Sequence, residues 1–135
     1  MRSLSEAYHG PWDDIRALLD DPERVSYTWF ETHVLDAPWN RGRAVVIGDA
    51  AHCCPPTLAQ GAAQALEDAA VLAELLIALD AVDQSLWDSF HRRRFDRART
   101  VVEASNQLCE WLTSHSQGDV PGLMRSVAEL VGQPA

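Results

Sequence analysis

Apolar residues recur along the second half of the chain at intervals of three and four, the period of a helix with one buried face. Ala62, Leu66, Ala69, Ala70, Ala73, Leu76 and Ile77 form one such stripe, which predicts a helix from about Gly61 to Leu79. Ala81-Val82-Asp83-Gln84 makes the connection to a second, longer stripe: Leu86, Phe90, Ala98, Val101, Val102, Ser105, Leu108, Cys109 and Leu112. Two such helices joined by a short turn are expected to pack as an antiparallel pair. Gln117 to Gly122 breaks the pattern, and Leu123 to Val131 is expected to form a last short helix. In the first half, Pro11-Trp12-Asp13-Asp14 ahead of Ile15, Leu18 and Leu19 predicts a short helix with acidic residues in its first turn, ended by Asp20-Asp21-Pro22. Val25, Tyr27 and Trp29 alternate in part and predict a strand between Val25 and Leu35. Ala44 to Ile47 is apolar without alternation and largely β-branched, which predicts a short strand buried on both faces, as in a parallel sheet. The pattern as a whole is mostly α with a small β portion.

The segment from Gly42 to Ala69 carries the candidate chemistry. Gly48-Asp49 ends the strand, and ligands of open α/β sheets bind just past the carboxyl ends of strands. Asp49 is therefore placed to accept a hydrogen bond from a ligand hydroxyl, although capping a turn is the commonest use of an aspartate there. Pro55-Pro56 makes a rigid connector. At the helix start, Gly61 lets a flat ligand approach, and the N–H groups of Gly61, Ala62 and Ala63 have no partner within the helix, so they and the helix dipole favour an electron-rich atom. Glu67 and Asp68 read as surface residues favoured by the same dipole. His52-Cys53-Cys54 suggests zinc, but no Cys-x-x-Cys or second histidine pair completes a ligand set, so the thiols read as small apolar groups lining a loop. No nucleophile, base or metal centre emerges: Ser114-His115 has no third member, and there is no Gly-x-Ser-x-Gly elbow.

Size and charge narrow the picture. At 135 residues one modest domain is expected. The formal charge of −9 argues against nucleic acid and anionic membranes as partners. The one basic cluster, Arg92, Arg93, Arg94, Arg97 and Arg99, stands at helical spacing from Asp88, Asp96 and Glu103 and reads as a solvated, self-paired face. The three cysteines, two of them adjacent, do not make a disulfide framework. No apolar run resembles a signal peptide or reaches membrane-spanning length, so a cytoplasmic location is expected.

The run Gly42-Arg43-Ala44-Val45-Val46-Ile47-Gly48-Asp49-Ala50-Ala51-His52, with Ala59-Gln60-Gly61-Ala62-Ala63-Gln64-Ala65-Leu66-Glu67-Asp68-Ala69, resembles the second flavin-binding motif of the class A FAD-dependent aromatic hydroxylases, the group of para-hydroxybenzoate and salicylate hydroxylases. The helix start is closer to the salicylate hydroxylase branch, with Ala59 standing where that pattern has its first glycine. Gly10-Pro11-Trp12, Ile15, Leu18-Leu19, Trp39 to Arg43, Trp87, Phe90, Arg92 to Arg94 and Arg97 extend the likeness, so the chain up to about Trp111 resembles the C-terminal third of such an enzyme. The Gly-x-Gly-x-x-Gly fingerprint for the pyrophosphate and the Asp-Gly pair implicated in the pyridine nucleotide are absent.

The resemblance implies a C-terminal fragment of the α/β, Rossmann-like FAD-binding monooxygenase fold. Its parts are a helix and strand from the substrate side (1–40), the strand, loop and helix of the flavin motif (41–80) and C-terminal helices (81–135). It also implies FAD as cofactor, NAD(P)H as reductant, oxygen and an aromatic substrate. Gly48, Asp49, Pro55, Pro56, Gly61, Ala62 and Ala63 become the cofactor-binding residues: Asp49 on a ribityl hydroxyl, the prolines beside the isoalloxazine ring, and the helix start facing the flavin N1 and O2. A bare strand edge and an apolar helix face imply a partner, either the missing N-terminal FAD-binding half or further copies of the chain. The alternative is a truncated, non-catalytic α-rich module or orphan subunit acting through protein contacts.

Overall fold

A computed structural model describes residues 2–135. Two short helices come first, α1 (Arg2–Ser5) and α2 (Pro11–Arg16). Four two-residue strands follow: β1 (His33–Val34), β2 (Asn40–Arg41), β3 (Ala44–Val45) and β4 (His52–Cys53). The C-terminal half is helical, with α3 (Gly61–Ala78), α4 (Gln84–Ser114) and α5 (Val120–Val131).

The helix expectations hold in extent for α3 and α4, whereas α2 stops at Arg16, short of Leu18-Leu19, and local chemistry explains the starts of α4 and α5. Asp83 caps α4, its carboxylate accepting from the Ser85 N–H at 2.9 Å and the Ser85 hydroxyl at 2.7 Å. α5 starts three residues before the predicted Leu123, because Asp119 accepts from the Gly122 N–H at 2.9 Å and Pro121 is tolerated in a first turn. α3 and α4 run antiparallel: Glu67 meets Arg97 while Glu74, farther along α3, meets Arg93, earlier along α4.

The β portion departs from expectation. Ala44 to Ile47 is not a buried parallel strand: β3 pairs antiparallel with β2, Asn40 opposite Val45 and Arg41 opposite Ala44. Gly42, with φ +61°, supplies the left-handed residue of the two-residue turn between them. Val45 and Ile47 pack on the core while Ala44 and Val46 are exposed, so only alternate residues of the apolar run find a surface to cover. Of the strand expected between Val25 and Leu35, only His33–Val34 forms, pairing antiparallel with β4 (His33 opposite Cys53, Val34 opposite His52). Among the described residues, 25–32 find no partner strand, and β-prone side chains do not hold a strand without one, so Tyr27, Trp29 and Phe30 stay exposed.

Two apolar clusters hold the elements together. Trp39, Ala51, Val71, Phe90 and Ala98 form the first, with Val34, Val45, Ile47, Leu72, Leu75 and Phe95 around them, so the strands sit on the α3–α4 pair. The Trp39 indole N–H is satisfied by the Leu35 carbonyl at 2.9 Å. Leu58, Ala104, Leu108 and Val127 form the second, joining the loop before α3 to α4 and α5.

Candidate functional site

The Gly48–Ala51 loop approaches α3 as closely as backbone permits. Gly48 has φ +59°, and a Cβ placed on it would stand 2.9 Å from the Ala65 Cβ, so both conformation and contact require glycine. The loop then makes a single tight turn over Gly48–Ala50, closed by the Ala51 N–H on the Gly48 carbonyl at 2.8 Å. This turn carries Asp49 to the surface at the start of α3, where its Oδ1 lies 3.7 Å from the position of a Cβ on Gly61. A Cβ at 61 would make only ordinary contact with that carboxylate. The α3 N-terminus has no side-chain cap, and Ala62 and Ala63 are exposed. The first backbone donors of α3 therefore remain open beside Asp49.

The structure thus joins Gly48, Asp49, Gly61, Ala62 and Ala63. Pro55 is buried and Pro56 exposed, at the head of a turn over Pro56–Leu58 that packs against α4 through Leu58 and a 2.7 Å bond from the Thr57 hydroxyl to the Ser105 carbonyl. Ala59, at the position of the resembled motif's glycine, adopts φ +53°, ψ 32°, so this loop keeps the left-handed turn with a residue that carries a Cβ.

Beneath the loop lies a charge network that sequence reasoning missed. Asp68 is completely buried, not a surface residue, and its carboxylate receives three bonds. Gly48 N–H donates at 2.8 Å and His52 Nε2 at 2.6 Å to Oδ2; Arg94 Nε donates at 2.7 Å to Oδ1. An ionised carboxylate only accepts, so the proton of the His52 bond is assigned to Nε2. Burial pushes the Asp68 carboxyl up, but the bonds from His52, Gly48 and Arg94 together outweigh it and hold the group below its ordinary value. Arg94 also donates to Glu67 and, at 2.8 Å, to Gln64 Oε1. Arg97 grips Glu67 with two bonds of 2.8 and 2.7 Å and reaches the carbonyls of Val131 and Gln133 at 3.1 and 2.9 Å, where the dipole of α5 favours a cation. Burial raises the Glu67 carboxyl, while Arg97 and Arg94 more than offset it and leave it lowered.

Arg94 and Arg97 therefore correct the expectation of a solvated, self-paired basic face. Arg99 keeps to it, pairing with Asp96 at 2.9 Å on the exposed side of α4. The missed signal was positional: Phe90, Arg94, Arg97 and Val101 follow one another by four, three and four, so both arginines fall within the apolar stripe. Gln64 and Asp68 continue the inward stripe of Val71, Leu72 and Leu75 on α3 in the same way.

Residues 12–105 match the family described as FAD binding domain, and the chain belongs to that family. It is 36% identical over 105 residues to a 6-hydroxynicotinate 3-monooxygenase of Pseudomonas fluorescens, covering 76% of this chain and 27% of the relative. To a protein of the same name from Bordetella bronchiseptica it is 33% identical over 118 residues, 86% of this chain and 30% of the relative. A shorter match, 67% identical over 39 residues, links it to the 2-heptyl-3-hydroxy-4(1H)-quinolone synthase of Pseudomonas aeruginosa strain UCBPP-PA14, covering 29% of this chain and 10% of the relative. The chain spans between about a quarter and a third of the length of the two 6-hydroxynicotinate 3-monooxygenases. No solved structure matches it. Among the described residues, no helix is long and apolar enough to cross a membrane.

Proposed function

We propose that this chain forms the ribityl and ring side of the FAD site in a class A monooxygenase that hydroxylates an aromatic substrate with NAD(P)H and oxygen. The observation that carries the reading is the exposed Asp49 carboxylate beside Gly61 at an uncapped helix start. An acceptor for a sugar-like hydroxyl next to a row of open N–H donors suits a ligand with an alcohol chain joined to an electron-rich ring. When bound, the flavin supplies the redox chemistry, and the protein supplies orientation and electrostatics. In this role Asp49 accepts from a ribityl hydroxyl, and the N–H groups of Gly61, Ala62 and Ala63 face the N1 and O2 edge. Pro55 and Pro56 wall the ring. The printed name 6-hydroxynicotinate 3-monooxygenase of two relatives supports the aromatic substrate.

The pyrophosphate and substrate parts of such an enzyme belong to an N-terminal half with a Rossmann-like sheet, and we place that half, or a second copy of this chain, against two bare surfaces. One is the edge at Ala44–Val46; the other is the outer face of α3, where Leu66 is 73% and Ile77 87% exposed.

The test is a titration of FAD into the 135-residue chain and into the complete polypeptide, with FMN for comparison. Asp49→Ala removes a charged acceptor and is expected to weaken FAD about ten- to a hundredfold in the complete polypeptide. Unchanged affinity there would overturn the role of Asp49.

A further inference from the structure

Asp49 makes no hydrogen bond among the described residues, yet its position over the α3 N-terminus is defined on both sides by one other carboxylate. Gly48, the residue before it, donates its N–H to Asp68 Oδ2 at 2.8 Å, and His52, three residues after it, reaches the same oxygen at 2.6 Å. Arg94 Nε holds Oδ1 from α4 at 2.7 Å, so the anchor is itself fixed. Asp68 is wholly enclosed and His52 nearly so, hence water does not substitute for either bond.

The geometry points to Asp68 as a positioning residue, whose carboxylate clamps both ends of the 48–52 loop and so holds Asp49 at the mouth of α3. This deepens the flavin reading and rests on it for the use to which the held loop is put. The competing account is that Asp68 only contributes a buried ion pair to the packing of α3 on α4, with no particular effect on the loop.

The cysteines separate the two accounts. Cys53 and Cys54 follow the clamped loop directly, whereas Cys109 lies within α4, and all three are free and half-buried. Asp68→Asn keeps the shape but loses the charge and one accepting oxygen. In the full chain under native conditions, thiol labelling mapped by mass spectrometry is expected to accelerate about tenfold or more at Cys53 and Cys54, with Cys109 changing less than about twofold, because bonds to a charged group are lost locally. Acceleration of all three thiols together, or of none, would overturn the proposal. His52→Phe, which keeps a ring against Trp39 and removes one of the two anchors, is expected to accelerate the same two cysteines by a smaller factor. It decides by the same criterion if Asp68→Asn does not fold. FAD titration of the same proteins keeps the two readings apart. Loop-specific labelling in a protein that binds no flavin in its complete form supports the clamp and refutes the flavin assignment.

Discussion

Gly48→Ala tests the close approach of the loop to α3 most directly. The new methyl meets two separable penalties. At φ +59° a residue with a Cβ costs about 1–2 kcal/mol, and a contact of 2.9 Å with the Ala65 Cβ, a rigid group on a helix, adds overpacking of about 1–3 kcal/mol. The sum, about 2–5 kcal/mol, is a large part of the 5–15 kcal/mol typical of a domain of roughly this size. Ala65→Gly removes the obstructing atom, since the next neighbour of the added methyl, the Ala65 Cα, stands at an ordinary 3.7 Å. Alone, that change costs about 1 kcal/mol for glycine inside a helix. The double variant is therefore expected to recover the steric part and not the backbone part, giving a favourable coupling of about 1–3 kcal/mol. Urea unfolding followed by tryptophan fluorescence and circular dichroism measures all four corners of the cycle. A Gly48→Ala cost below about 1 kcal/mol, or a coupling near zero, would refute the argument that the loop is pressed on α3 at this point.

Asp68 and Glu67 both have folded carboxyls held below their ordinary values, so their contribution to stability is present above the unfolded carboxylate range, about pH 4, and is lost as pH falls through the folded values. Thermal melts at descending pH are expected to show a steep acid limb that is shallower in Asp68→Asn; an unchanged limb counts against the network. Ala59→Gly relieves a left-handed Cβ at some entropic cost and is expected to stabilise by about 0.5–1 kcal/mol, and a lowered urea midpoint would refute the strain. Leu66→Gln with Ile77→Gln should leave stability within about 0.5 kcal/mol, because both side chains are largely in water. The same pair should reduce any self-association seen by sedimentation velocity, and an unaltered association would move the contact elsewhere.

The helices were legible because the period of their apolar residues survives whatever they pack against, and because Asp83 and Asp119 punctuate them locally. The strands were less so. A strand exists only through its partner, and neither the pairing of Asn40–Arg41 with Ala44–Val45 nor the lack of one for residues 25–32 is written in the residues themselves. Gly48, Asp49 and Gly61 were proposed as site residues from the order of strand, turn and helix, and the structure brings the three together. Asp68 was misplaced at the surface because an acidic pair early in a helix suits the dipole in solvent, although its spacing from Val71, Leu72 and Leu75 sets it on the inward stripe. Its partners, Gly48, His52 and Arg94, lie 20, 16 and 26 residues away.

The inversion of α3 connects these points. The stripe expected to be buried, with Leu66 and Ile77, faces outward, while Gln64, Asp68 and the partly covered Glu67 face α4 along with Val71, Leu72 and Leu75. Val71, Leu72 and Leu75 share that inward face and pack on the core, so apolar burial and the match between inward acids and the arginines of α4 hold this orientation together. Such a match is sensitive to rotation: turning α3 by one residue, about 100°, carries Asp68 away from Arg94 and withdraws the acceptor from Gly48 and His52. Leaving a buried charge unpaired costs about 3–5 kcal/mol, and the same turn also carries Val71 off the core. The polar seam and its apolar neighbours thus fix which face of α3 meets α4 and hence where its open N-terminus stands relative to Asp49. The apolar face left over is then free to serve a second contact without disturbing the first.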